Sequence, residues 1–324
     1  MSKANGNAYQ LVAVDKLGSG LEFVDPSTKK SIKRLSLPAR PHEIVVSADK
    51  KLAYVTIYGD GIYGNNTHRG HQLAVIDLTR REKVGEIELN PFQAPHGLAI
   101  DGQGILWASC DKSQTVVAVD PKTGKILDAI NTGTDGCHWI VPVAGGSKLY
   151  TSNKDTWFVG VIDTKQRTLA KRSEVPNGTE GICCSPDGKT VYASDHKLPK
   201  LLTFDTAKDE VTQTVDLCGY GEIPMYEDHE MRVRTTLDGR YVMISGYKWN
   251  VAVIVNAANQ TEQTLLKTKV GPMGWGFPPF DTNLVYLADH DSSSISIIDL
   301  TKKEFVDSFP CGKGVEVIEF IPAA

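Results

Sequence analysis

Three histidines and two glutamates in this 324-residue chain are the residue types that metal binding or acid–base catalysis requires, and they recur in register. Counting back 25 residues from Asp163, Asp205, Asn256 and Asp299 lands on His138, Glu180, Met231 and Gly274. His96 takes the same place in a repeat one residue shorter. His42 does so by its spacing to Tyr54, and Glu316 by the match of Pro322 to Pro186. The position therefore reads Glu316, His42, His96, His138, Glu180, Met231, Gly274. Imidazoles with one or two carboxylates suit one divalent transition ion such as Zn, Fe, Cu or Ni, with His42, His96, His138, Glu180 and Glu316 as the ligand set. Without a metal, His42, His96, His138 and Glu180 supply general acids and bases near neutral pH, as a lyase, an isomerase or a lactone hydrolase needs.

The ruler behind this register is a repeated phrase, an apolar strand ending in an acidic residue and a turn. Its last positions are Asp25, Asp77, Asp120, Asp163, Asp205, Asn256 and Asp299, spaced by 42 to 52 residues. A period in the low forties built of short strands predicts a β-propeller, one blade per repeat, with four antiparallel strands a to d from the channel outward. The fold class is all-β and the chain reads as one seven-bladed domain, residues 1–9 forming a tail. The segment 315–321 matches a repeat opening with nothing after it, and residues 10–37 supply strands b to d. One blade is thus expected to be closed by both ends of the chain, which pairs an otherwise exposed edge. The seven Asp and Asn residues read as turn caps, a folding device.

The candidate position opens strand a, nearest the channel axis, so its side chains are expected to converge at one mouth of the channel. The d-to-a and b-to-c connections lie on that same face. The two long repeats place their extra residues there, at 58–72 and 218–230. Long loops on a rigid scaffold are where function concentrates. These offer Tyr58, Tyr63, His68, Arg69, His71, Tyr220, Tyr226 and His229 to hold an organic anion or phenol, joined by Arg232 and Trp275 from strand a. His196 and His290, each following the Asp that ends strand b, read as loop hydrogen-bonders. Cys137, beside His138, reads as inert packing.

The YVTI segment at 54–57, with YTSN, VYASD and VYLAD, resembles the YVTN-type repeat of bacterial and archaeal propellers over nearly all of residues 10–321. The stretch 95–109, PHGLAIDGQGILWAS, is similar to the repeats of streptogramin B lyases, and the whole more loosely to lactonase-type propellers. The resemblance implies the fold; no lyase motif carries over position by position.

Composition narrows the remaining classes. A net charge of −4 argues against a nucleic-acid partner or an anionic membrane surface. No window approaches the roughly 20 apolar residues of a membrane span. The first ten residues contain no apolar stretch, and six cysteines without CxxC spacing suit reduced thiols, so a cytoplasmic location is expected. The expected function is an enzyme acting on a small organic substrate at the channel mouth. The alternative is a non-catalytic propeller that binds a protein or peptide on that face.

Overall fold

The computed structural model describes residues 8–62, 65–218 and 230–323. Within them, 28 strands form seven four-stranded antiparallel sheets and no α-helix. Blades 2 to 7 each use four consecutive strands. In blade 1 the innermost strand is Val315–Pro322, hydrogen-bonded to Tyr9–Asp15, followed by Gly20–Asp25 and Lys30–Ser36. The ring closes as the repeat pattern predicts. Tyr9 opposes Pro322 and Asp15 opposes Val315, so the joint runs the full length of both strands.

The seven repeated acids and amides act as turn caps. The side chains of Asp25, Asp77, Asp120, Asp163, Asp205, Asn256 and Asp299 each accept a backbone N–H two or three residues on, at 2.8–3.0 Å. This replaces a missing main-chain partner at each c–d turn.

The core lies between blades. Seven apolar clusters occupy the seven blade-to-blade interfaces among the described residues. Between blades 4 and 5, for example, Tyr150, Val159 and Val161 meet Ile182, Val191, Ala193 and Phe204. Strands a to c are accordingly buried on both faces, whereas strand d alternates, as in Lys30–Ser36. No blade has a core of its own, so the domain's stability depends on the closed ring.

Two devices aim the inner ends of the blades. Strand a of blades 1 to 5 and 7 opens with a register shift, a bulge that turns successive residues toward the axis. A strand-b hydroxyl then binds the bulged backbone: Thr56, Ser109, Ser152 and Ser194 accept from Glu43, Gly97, Trp139 and Gly181 N–H. Ser109 and Ser194 also donate to the His138 and Met231 carbonyls of the following blade. The approach is close enough that a Cβ at Gly97 would stand 2.7 Å from the His138 carbonyl oxygen, and at Gly181 2.5 Å from that of Met231.

Removing residues 315–324 deletes the closing strand and strips Ile318 and Ile321 from two interfaces. The expected outcome is loss of the single cooperative thermal transition, followed by circular dichroism, rather than a shift of a few degrees.

Candidate functional site

The bulges gather the candidate side chains at the channel axis. His42, His96, His138, Glu180 and Glu316 do converge, but in a closed cluster rather than an open mouth; none is more than 5% exposed. The channel is filled there. His96 and His138 stack at 3.6 Å between ring centroids, and His42 lies 4.2 Å from His96. His138 Nε2 is 3.3 Å from Glu180 Oε1, and its Nδ1 is 3.5 Å from Asp111 Oδ2.

Register corrects two members of the ring. In blade 7 Pro272 opposes Asp289 as Pro41 opposes Ile57, so Met273, not Gly274, is the residue equivalent to His42. Blade 6 lacks the bulge: Met231 opposes Gly246, and Arg232 occupies the inward place. A constant count of 25 could not reveal a missing bulge residue. Consequently Arg232 reaches across the axis. Its guanidinium donates to Glu43 of blade 2 at 3.1 Å and to Glu316 of blade 1 at 2.9 Å, and lies 4.3 Å over the Trp139 ring of blade 4.

A second, outer ring surrounds the first. Its members stand four residues beyond the strand-b position of Tyr54: Lys16, Tyr58, Asp111, Lys154, His196, Tyr247 and His290. Five of them touch the inner-ring residue of the following blade. Lys16 Nζ is 3.0 Å from His42 Nε2, and the rings of Tyr58 and His96 lie 5.6 Å apart. Asp111 faces His138, Lys154 Nζ is 2.8 Å from Glu180, and His290 Nε2 is 3.6 Å from Glu316. His196 and His290 are therefore buried members of the cluster, contrary to their reading as loop groups; His196 Nδ1 lies 3.9 Å from Glu180. Lys16, Glu43, Asp111, Lys154 and Trp139 escaped sequence reasoning. For Lys16, Asp111 and Lys154 the signal was available, since they share one offset along strand b.

Of the described loop residues proposed to hold substrate, Tyr58 reaches the cluster, donating to Asp111 Oδ2 at 2.9 Å. Arg69 is exposed on strand c of blade 2. His68 pairs with Asp60 at 2.6 Å and His71 with Glu88 at 2.6 Å, both toward solvent. Trp275 lies in the wall of the channel, away from the loops. Tyr63, Tyr220, Tyr226 and His229 fall outside the described residues.

Burial sets the protonation states. It holds His42 and His96 well below the ordinary imidazole range, assisted by Lys16 at His42 and by His138 and His42 at His96. His42 is thus a neutral imidazole, accepting from Lys16 at Nε2 and donating from Nδ1 to Glu43 Oε1 at 3.1 Å. Burial alone would raise Glu180 and Glu316. The Lys154 ammonium together with the hydrogen-bonding His138 on the first, and the charges of Lys16 and Arg232 on the second, outweigh it and hold both below the carboxylate range. Glu43 goes the other way: burial, opposed in part by Arg232 and reinforced by Glu316, pushes it up to about 8. Burial pushes the Cys137 thiol up to about 12, consistent with packing rather than nucleophilic chemistry.

Two groups of donors lie close enough to share one ion, His42–Glu43–His96 and His96–Asp111–His138. In the first, His42 is committed to Lys16 and Glu43, and Glu43 to Arg232. In the second, neither His96 nitrogen nor Asp111 Oδ1 meets a hydrogen-bond partner among the described residues, although both are buried. Neutral imidazole and carboxylate oxygen with unused lone pairs are what a transition ion requires, so the second group fits one.

The fold and cluster define a seven-bladed propeller with a polar plug across its channel. Among solved structures it is similar to the periplasmic gluconolactonase PpgL of Pseudomonas aeruginosa, with a TM-score of 0.77 and 15% identity, covering 97% of this chain and 99% of that one. It is also similar to hydrazine synthase of Kuenenia stuttgartiensis, with a TM-score of 0.68 and 17% identity over 86% and 88% of the two chains. At such identities the likeness concerns the fold. In sequence, 89 residues are 30% identical to regucalcin of Homo sapiens and of Macaca fascicularis, spanning 28% of this chain and 28% of each relative. No family model matches the chain.

Arg232→Met leaves two buried carboxyl groups without their shared guanidinium. A loss of about 3–5 kcal/mol is expected, read as a fall in Tm of roughly 10 °C. Glu43 supplies a pH signature. Its folded pKa stands above its ordinary value of 4.5, so its stabilisation is fully present below that value and is lost as pH rises toward about 8. Tm measured from pH 5 to 8.5 should therefore fall less steeply in Glu43→Gln than in the parent protein.

Proposed function

We propose that the protein is a hydrolase of small cyclic esters, with the His96–Asp111–His138 group as its reacting centre. One observation carries this reading: His96 is a buried, neutral imidazole whose two nitrogens meet no hydrogen-bond partner among the described residues. A buried polar group left in that state costs stability and is characteristic of a site built for a ligand. The similarity to a gluconolactonase fold and the short regucalcin match favour a lactone over a lyase or isomerase substrate.

In this reading His96 takes a proton from water as the water oxygen bonds to the lactone carbonyl carbon. The ring C–O bond then breaks, and the proton passes to the departing ring oxygen, leaving a hydroxy acid. His138, set between Asp111 and Glu180, stacks its ring on His96 and fixes the orientation of the base. Lys16 and Lys154 balance the carboxylates that hold the histidines in place. Alternatively, His96, Asp111 and His138 would hold one divalent transition ion, which when bound would polarise a carbonyl oxygen; His96 would then be a ligand rather than the base.

A second reading rests on the loops of the same face. Leu17, Ile62, Trp157 and Val270 are each at least 45% exposed, and all four lie on b–c or d–a connections. Such a scatter of large apolar groups on one face suits a protein or peptide partner.

A panel of five- and six-membered aldonolactones, followed by acid release in a pH-stat, tests the first reading. Turnover is expected to fall at least 100-fold in His96→Ala with Tm preserved. Elemental mass spectrometry should find one equivalent of a transition metal, diminished in Asp111→Asn. Absence of turnover across the panel, with His96→Ala unchanged in every respect, would leave the partner-binding reading.

A further inference from the structure

Beyond the plug the channel reopens. A cavity of about 590 Å³ runs from Glu43 and Arg232, which close its inner end, to the a–b turns of the opposite face. That is within the roughly 300–1,000 Å³ typical of small-molecule sites. Its walls are largely apolar; Ile44, Leu98, Val141 and Phe277 are among them, the last three only partly buried. Toward the outer end Arg234 pairs with Glu319 at 2.9 Å.

The inner end has one hydrogen-bonding atom to spare. Glu43 is 3% exposed, and both hydrogen bonds to its carboxyl group fall on Oε1, from His42 Nδ1 and from Arg232, each at 3.1 Å. Its Oε2 meets no partner among the described residues. The other glutamates of the plug face a partner at each oxygen. Glu316 has Lys16 at Oε1 and Arg232 at Oε2, and Glu180 has His138 at Oε1 and Lys154 at Oε2. A buried carboxyl oxygen without a partner costs stability, and here it adjoins space in which a ligand could supply one.

The neighbours of Glu43 select the chemistry of the group that meets it. Arg232 is already shared by Glu43 and Glu316 and repels a second cation. Neither an ammonium nor a carboxylate head therefore finds an uncommitted counter-ion there, and burying an unpaired charge is costly. A carboxyl oxygen accepts when ionised and donates when it carries the proton, and a hydroxyl group answers it in either state. The apolar walls call for a hydrocarbon body behind that head.

We propose that this cavity is a binding site for a small neutral alcohol with an apolar body, its hydroxyl group bonded to Glu43 Oε2 and its body packed along the channel wall. Binding there requires no turnover at His96. The two regions share a partition, however, because Trp139 lines the cavity and lies edge-on to the His96 ring at 5.4 Å.

The test titrates the methyl-labelled full chain with 2-phenylethanol, ethylbenzene, phenylacetate and 2-phenylethylammonium, followed by ¹H–¹³C correlation spectra. The Leu98 and Val141 methyl resonances should shift and saturate with the alcohol, while that of Ile32, 44% exposed on an outer strand, stays in place. Both ions should bind at least tenfold more weakly than the alcohol. Glu43→Gln keeps a hydrogen-bonding head and should bind the alcohol within threefold of the parent protein. Glu43→Leu should weaken the alcohol three- to tenfold and strengthen ethylbenzene, a reversal that a purely structural role for Glu43 does not produce. Should Glu43→Leu not fold, the comparison of alcohol with ions in the parent protein decides. The readout is binding alone, so absence of lactone turnover leaves it standing. The proposal is overturned if Leu98 and Val141 do not respond at millimolar alcohol, if Ile32 shifts with them, if either ion binds as tightly as the alcohol, or if Glu43→Leu leaves the ratio of alcohol to ethylbenzene affinity unchanged.

Discussion

The Arg232 guanidinium crossing the channel is the contact on which the interior arrangement depends. A propeller channel is normally an open shaft, because seven strand edges cannot meet at the axis. Here one long cation spans it and pairs with carboxyl groups from two blades on the far side. That single crossing separates a polar cluster from an apolar cavity and fixes where each ends. It arises from a local deletion: blade 6 omits the bulge residue, and the side chain that remains points to the axis. The charge it brings is offset by Glu316, held ionised, while Glu43 accepts its hydrogen bond as a largely neutral acid.

Around that crossing the protein sustains an uncommon mixture, with neutral imidazoles and paired ammonium and carboxylate groups packed together away from water. Lys16, Lys154 and Arg232 each have a carboxylate within about one hydrogen-bond length, which is the condition under which buried charge is tolerated. His42 and His96 stay uncharged because the desolvation cost falls on their protonated form and the nearby ammonium groups add to it. His96 departs from this economy of partners, being surrounded by rings instead of donors and acceptors.

Much of the fold was legible because its signals are local and repeated. Strand-end acids capping turns, and a period in the low forties, require no knowledge of distant contacts. Closure of blade 1 was legible as a strand present at one end and absent at the other. In the ring, His42, His96, His138, Glu180 and Glu316 were found because each stands at the same place in its repeat to within one residue, measured from the strand-end acid, from Tyr54 or from Pro322. Met273 was missed because the a–b turn of blade 7 is one residue longer than that of blade 5, and Arg232, read as a substrate-holding residue, was missed as a ring member because blade 6 lacks the bulge. Lys16, Asp111 and Lys154 were missed because their role lies across a blade interface, and a lysine or aspartate after a strand looks like any solvated turn. Burial was also illegible: whether a polar position at the axis faces water or fills the channel depends on side chains from blades far apart in sequence.

The contact between the end of strand b in one blade and the start of strand a in the next has a further consequence for assembly. Lys16 meets His42 within the first two blades, but its contact with Glu316 requires the final strand to have docked. Until then Arg232 also lacks one of its two acids. The cluster thus behaves as a lock with keys at opposite ends of the chain. During synthesis the early blades can stack and bury apolar surface, but a ring missing its last strand holds unmatched lysine and arginine at its centre. Folding intermediates short of closure are marked by that misplaced positive charge, and only the closed ring is electrostatically at rest.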